Sequence, residues 1–152
     1  MPIEIKLKIL SPAFKDGEMI NQNNTCLGEN LNPEILIRGV DIRAKSLALI
    51  MEDPNAIGGV WTHWICFNMP PDLDVIEEGQ EPLGSGALNS WNNTGYMGPC
   101  PPKGNGIHHY VFKLFSLDTT FNFEKTPTRK ELEHAMIGHI IQEAKITGLF
   151  GR

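Results

Sequence analysis

Gly98-Pro99-Cys100-Pro101-Pro102-Lys103-Gly104-Asn105-Gly106-Ile107-His108-His109-Tyr110-Val111-Phe112 joins two kinds of chain back to back. In its first half, three prolines remove backbone donors and fix φ, and three glycines admit positive φ, so no regular element fits there. From Tyr110 to Leu117 the residues become an apolar run that reads as a strand, closed by Asp118-Thr119-Thr120. A stiff loop therefore delivers His108 and His109 to the head of a strand. Proline-rich turns entering strands are common, so this window alone leaves a plain turn and a binding site as equal readings.

Working outward, two more strands end at proline. Lys45 to Met51 is a continuous apolar run, too short for a helix and suited to a strand buried on both faces, and it stops at Glu52-Asp53-Pro54-Asn55. Trp61 to Met69 is strand-like and stops at Pro70-Pro71. A two-residue period places Trp61, His63, Ile65 and Phe67 on one face. Near the N-terminus, Ile3 to Ile9 alternates apolar and charged residues, the pattern of a half-buried strand, and Glu34 to Arg38 reads as another. Asp72 to Gly98 is rich in Gly, Asn and Ser and reads as a long loop or a pair of short strands.

Thr128-Arg129-Lys130-Glu131 is a capping box and opens a helix. Leu132, Ala135, Met136, Ile140 and Ala144 follow at spacings of three and four, so the expected helix runs to about Ala144, and Lys145 to Phe150 forms a short final strand. His134 and His139 are five apart and fall on different faces of that helix. At least five strands and one late helix, without βα alternation, give a mostly antiparallel β fold with a helix at its end.

The 152 residues fit one domain, 1–152, large enough to bury a core without staples. A net charge of −5 argues against nucleic acid as the partner, because no basic stripe exists to meet the phosphates. The three cysteines, Cys26, Cys66 and Cys100, are odd in number and form no Cys-x-x-Cys, which suits a reducing cytoplasm with Cys100 as a small buried filler. No apolar window approaches a membrane span, and no leader-like segment opens the chain.

Three strand ends now stand out: Asp53-Pro54, His63, and the loop entering His108-His109-Tyr110. Ser46-Leu47-Ala48-Leu49-Ile50 with Asp53-Pro54, then His63-Trp64 and Asn68-Met69-Pro70, resembles the phosphatidylethanolamine-binding proteins. Gly98-Pro99-Cys100-Pro101-Pro102 with Gly106-Ile107-His108-His109-Tyr110-Val111-Phe112 resembles the second signature of that family. The likeness covers nearly the whole chain and is nearest to the prokaryotic, Raf kinase inhibitor-like branch.

The resemblance implies a large antiparallel central sheet, a smaller second sheet and a C-terminal helix. It also implies a small pocket for phosphate-like anions or phospholipid headgroups, lined by Asp53, His63, Gly98, Pro99, Pro101, His108 and Tyr110. A homodimer fits the prokaryotic branch. Two positions depart from the family pattern: Asn55 stands where Asp is common, and His109 where Arg is common.

In such a pocket, N–H groups around Gly98 and histidine donors would hold an anion, which would then bind more weakly as pH rises through about 6–7. Asp53 would orient a histidine or meet the ammonium of a zwitterion. No cofactor or metal is expected, and the reading is a binding protein rather than an enzyme. Three other readings stay open. One is an inhibitor docking a kinase or protease at the pocket rim. Another is a metal-free hydrolase with Asp53 and His63 as acid–base pair and His108 as electrophile, which lacks a nucleophile. The last is a zinc site of Asp53, His63, His108 and His109, which adjacent histidines on opposite strand faces disfavour.

Overall fold

The computed structural model describes residues 6–152. The central run, β4 (Ser46–Asp53), is buried at every position, as its unbroken apolar pattern requires. Antiparallel to it on either side lie β5 (Trp61–Met69) and β8 (His108–Leu117). β9 (Ile140–Phe150) pairs along the whole of β8, and β2 (Glu18–Met19) adds to β9 in parallel, the exception in an otherwise antiparallel sheet. β7 (Ser85–Gly86) closes the far edge, giving six strands in the order β2-β9-β8-β4-β5-β7.

β1 (Lys8–Leu10), β3 (Ile35–Arg38) and β6 (Val75–Ile76) form a second sheet in the order β1-β3-β6. Residues 3–5 of the alternating N-terminal run lie outside the described residues, but its continuation keeps the pattern, with Leu7 and Ile9 buried and Lys8 exposed. The Asp72–Gly98 region holds two short strands, β6 and β7, joined by turns.

The large sheet is buried on both faces. One face packs Leu47, Leu49, Met51, Trp64, Tyr110 and Phe112 against Ile9, Ile35 and Ile37 of the small sheet. The other packs Ala48, Ile50, Ile65, Phe67 and Leu117 under Leu132 and Met136 of α1 (Arg129–Met136). Small sheet, large sheet and helix make three layers, as expected for the fold class. Among the described residues no helix is long and apolar enough to cross a membrane.

The capping box of α1 is formed as expected: Glu131 N–H donates to Thr128 Oγ1 and Thr128 N–H to Glu131 Oε1, each at 3.1 Å. The helix is shorter than expected. It stops at Met136, Gly138 takes φ +82°, and Ile140 already belongs to β9. The misreading has a simple cause. Met136, Ile140 and Ala144 are four apart, a spacing that satisfies a helical face and a two-residue strand period alike, whereas Ala144, Ile146, Gly148 and Phe150 fit the strand alone.

A Cβ at Gly138 would meet open space, so only the left-handed backbone resists substitution there. Gly138→Ala is expected to keep the fold and lower unfolding free energy by roughly 1 kcal/mol, read by urea denaturation.

Candidate functional site

Because β4 runs antiparallel to both β5 and β8, its end lies beside their beginnings. Asp53, His63 and His108 thus meet at one edge of the sheet, although Asp53 and His108 are 55 positions apart. They line a small open cleft of about 130 Å³ with Ala56, Ile57, Trp61, Trp91, Cys100, Pro101, Pro102 and Tyr110. A larger groove of about 400 Å³ beside β1 and β9 carries no histidine.

His63 reaches this cleft through a break in the strand register. Met51 pairs with Trp64, but the next residue, Glu52, pairs with Thr62, so His63 is one residue too many on β5. Such a bulge reverses the alternation beyond it. Ile65 and Phe67 lie under the helix, while His63 and Trp61 turn to the opposite side, with the His63 ring 5.3 Å from that of Tyr110. The expected sharing of one face by Trp61, His63, Ile65 and Phe67 is therefore corrected. Behind the bulge, Thr62 faces α1 and accepts from Arg129 Nη1 at 2.9 Å. Arg129 Nη2 also donates to Glu52 at 2.6 Å, and Lys113 Nζ lies 3.1 Å from the same carboxylate. Burial pushes the Glu52 carboxyl up, but these two cations outweigh it and hold it below its ordinary range.

Asp53 uses both oxygens within the protein. Oδ1 accepts from Asn55 N–H at 2.8 Å, closing the turn at Pro54, and Oδ2 lies 2.7 Å from His108 Nδ1. His108 Nε2 in turn faces Asn105 Oδ1 at 2.6 Å. An oxygen acceptor thus meets each ring nitrogen, and Asp53 is a positioning partner for His108. Tyr110 is 1% exposed, and its hydroxyl has no hydrogen-bond partner among the described residues. Burial, then the charge of Asp53, pushes that phenol well above its ordinary range, so it remains a donor.

His63 Nδ1–H donates to the Met97 carbonyl at 2.5 Å, which leaves Nε2 as the acceptor of the neutral ring, without a protein partner among the described residues. Burial lowers the His63 pKa from 6.5, only partly countered by the Met97 carbonyl and by Asp53. At neutral pH His63 is therefore an acceptor, not the cationic donor the sequence suggested.

The proline segment divides. Pro101 lines the cleft, but Gly98 and Pro99 lie behind it. Gly98 N–H donates to Asn30 Oδ1 at 3.0 Å and is not turned to a ligand, and the Pro99 carbonyl accepts from Cys26 N–H at 3.1 Å. A Cβ on Gly98 would fall onto Asn30 Oδ1 and stand 2.5 Å from the Asn24 carbonyl, so glycine is required for packing. Cys100 is bonded to Cys26, with Cα atoms 5.4 Å apart, which corrects its reading as a filler. Their separation of 74 positions hides the pair from any spacing rule. The cytoplasmic setting inferred from cysteine count loses its basis, since disulfides persist mainly in oxidising compartments and in hyperthermophile interiors.

Two contributors escaped the sequence reading. Trp91 stands edge-on to His63, with centroids 5.1 Å apart, and is held by a turn in which Asn89 Oδ1 accepts from Trp91 N–H at 2.9 Å. The Asn-rich segment around it was the available signal. Arg152 donates from Nε to the Pro101 carbonyl at 2.7 Å, close enough for its charge to act on Tyr110. Among the described residues no group of three or more His, Cys, Asp or Glu side chains is placed to hold a metal ion. His109 faces away from the cleft.

The model of the phosphatidylethanolamine-binding protein family matches residues 10–151. The chain belongs to that family. A UPF0098 protein of Pyrococcus horikoshii is 42% identical over 156 residues, spanning 98% of this chain and 78% of the relative. The phosphatidylethanolamine-binding protein homolog CT736 of Chlamydia trachomatis superposes with a TM-score of 0.93 at 34% identity, covering 97% of this chain and 98% of its own. YbcL of E. coli, described as a member of the mammalian family, superposes at 0.85 with 26% identity and 99% coverage of both chains.

Within this family pattern the two departures meet each other. Asn55 Oδ1 accepts from His109 N–H at 2.9 Å and lies 3.0 Å from its Nδ1. A neutral amide and an imidazole thus stand together at these two positions. Neither side chain lines the cleft.

The depressed His63 pKa has a stability consequence. The unfolded chain binds this proton near pH 6.5 and the folded one only at lower pH, so the contribution is complete above 6.5 and lost as pH falls through the folded value. Unfolding free energy is expected to decline on acidification below about 6.5 less steeply in His63→Phe than in the parent. Parallel slopes in denaturant titrations across that range would show that His63 is not held neutral by burial.

Proposed function

We propose that the cleft binds a small oxyanion, a phosphate-like group or a phospholipid headgroup, and that the protein acts by binding rather than catalysis. The observation that supports this most is the convergence of two polar groups without protein partners among the described residues, His63 Nε2 and the Tyr110 hydroxyl, on a cleft of about 130 Å³. That volume is well below the usual several hundred Å³ of a site for a larger molecule, so it suits a headgroup rather than a whole lipid. Trp61, Trp91 and Ile57 wall it, and Arg152 supplies a nearby positive charge.

The chemistry narrows the ligand. Tyr110 O–H offers a donor to an anionic oxygen, while neutral His63 Nε2 needs a donor from the ligand. A singly protonated phosphate provides both, and so does the ammonium–phosphate pair of phosphoethanolamine. Two or three charge-assisted hydrogen bonds, less ordering costs, support roughly millimolar to micromolar affinity. Among the described residues no serine or threonine lines the cleft, and its cysteine is disulfide-bonded, which favours binding over covalent catalysis.

A second reading, a partner protein such as a kinase or protease docked over the rim, is favoured by the exposure of Ile57 (77%), Val60 (54%) and Ile107 (57%) around the opening. Competition between such a partner and free phosphate would place it at the cleft.

Calorimetric titration with phosphate and with phosphoethanolamine is expected to give binding that His63→Phe and Tyr110→Phe each weaken roughly tenfold, the value of one good hydrogen bond. Affinity for phosphate should rise on acidification below the ordinary histidine value of 6.5, as His63 takes a proton against the bound anion. Unchanged binding in both variants would remove these residues from the site.

A further inference from the structure

Asn105 is the asparagine that precedes a glycine, and the sequence contains no second Asn-Gly pair. This dipeptide is chemically the most prone to imide formation, because glycine has no side chain to hinder attack by its own nitrogen. The surroundings favour the reaction. Residues 102–107 are all exposed, Gly106 sits at φ +86° with open space where a Cβ would be, and its N–H makes no hydrogen bond among the described residues. Beside the leaving amide stands a fixed ring: His108 Nε2 lies 2.6 Å from Asn105 Oδ1 and Nδ1 lies 2.7 Å from Asp53 Oδ2, so both nitrogens face oxygen acceptors, the contact pattern of a ring that carries both protons.

We propose that Asn105 is a site of spontaneous deamidation, promoted by the contact between its side-chain carbonyl and the His108 ring. The Gly106 nitrogen attacks Asn105 Cγ, and negative charge develops on Oδ1, where the Nε2–H of the doubly protonated His108 ring stabilises it as a fixed donor does an oxyanion. The N–Cγ bond forms, the Cγ–Nδ2 bond breaks, and the proton from Gly106 leaves with Nδ2 as ammonia. Water then opens the five-membered imide at either carbonyl, leaving aspartate or isoaspartate. The net change is one water consumed and one ammonia released, with no redox partner. The product sets a second carboxylate against the ring that Asp53 already holds, adding one negative charge at the edge of the cleft. The chemistry needs no ligand, so its test stands apart from what the cleft binds.

Purified protein is incubated at neutral pH, and each asparagine is followed by proteolysis and mass spectrometry beside a synthetic peptide of residues 101–110. Asn105 is expected to convert first, and faster in the folded protein than in the peptide. His108→Phe, which keeps the ring but not its nitrogens, should bring the rate down to that of the peptide. Asp53→Asn, which leaves the imidazole but removes the group that orients it, should also slow it and serves if the first variant does not fold. Conversion no faster than in the peptide, or rates unmoved in a folded variant, would overturn the proposal.

Discussion

One surplus residue in β5 opposite β4 decides what the cleft contains. Without the bulge, alternation would turn His63 toward the helix and Thr62 toward the cleft, and no imidazole would stand beside Tyr110. The helix side holds the bulge in place. Thr62 and Glu52, adjacent across the two strands, are joined through Arg129, and Glu52 is too deeply buried to be left unpaired. The first turn of α1, itself started by the Thr128–Glu131 box, thus supports the far face of the sheet opposite the cleft.

The electrostatics follow from the same geometry. In a protein of net charge −5, attraction for an anion must be local. Asp53 would repel one, but its oxygens are taken by Asn55 N–H and the His108 ring. His63 is kept neutral by burial, and Tyr110 is kept protonated by burial and by Asp53. The cleft offers a donor and an acceptor side by side, with Arg152 as the nearby cation. That combination selects for a ligand carrying its own proton or ammonium.

Much of this could be read from the sequence, and what could not has specific causes. The buried run at β4, the apolar β8 and the Thr128 box are local patterns, and the structure follows them. The side to which His63 turns depends on a register between β4 and β5, which no single strand reveals. β9 was hidden by a four-residue spacing common to helix and strand, with Gly138 as the one local sign of the break. The Cys26–Cys100 bond, the Asn55–His109 pair and the Trp91 wall are contacts between distant segments, visible only once the chain is folded. Gly98 and Pro99, which the family resemblance implies as pocket residues, shape the wall from behind rather than face the cleft.

The central claim is that the bulge presents a neutral His63 whose Nδ1–H is held by Met97 and whose Nε2 opens to the cleft. Nitrogen NMR of the labelled histidine rings, recorded near neutral pH with and without phosphate, tests this most directly. The account predicts a protonated Nδ1 and a bare Nε2 whose resonance moves on adding phosphate. A ring protonated at Nε2, or a bare Nε2 indifferent to phosphate, would contradict it.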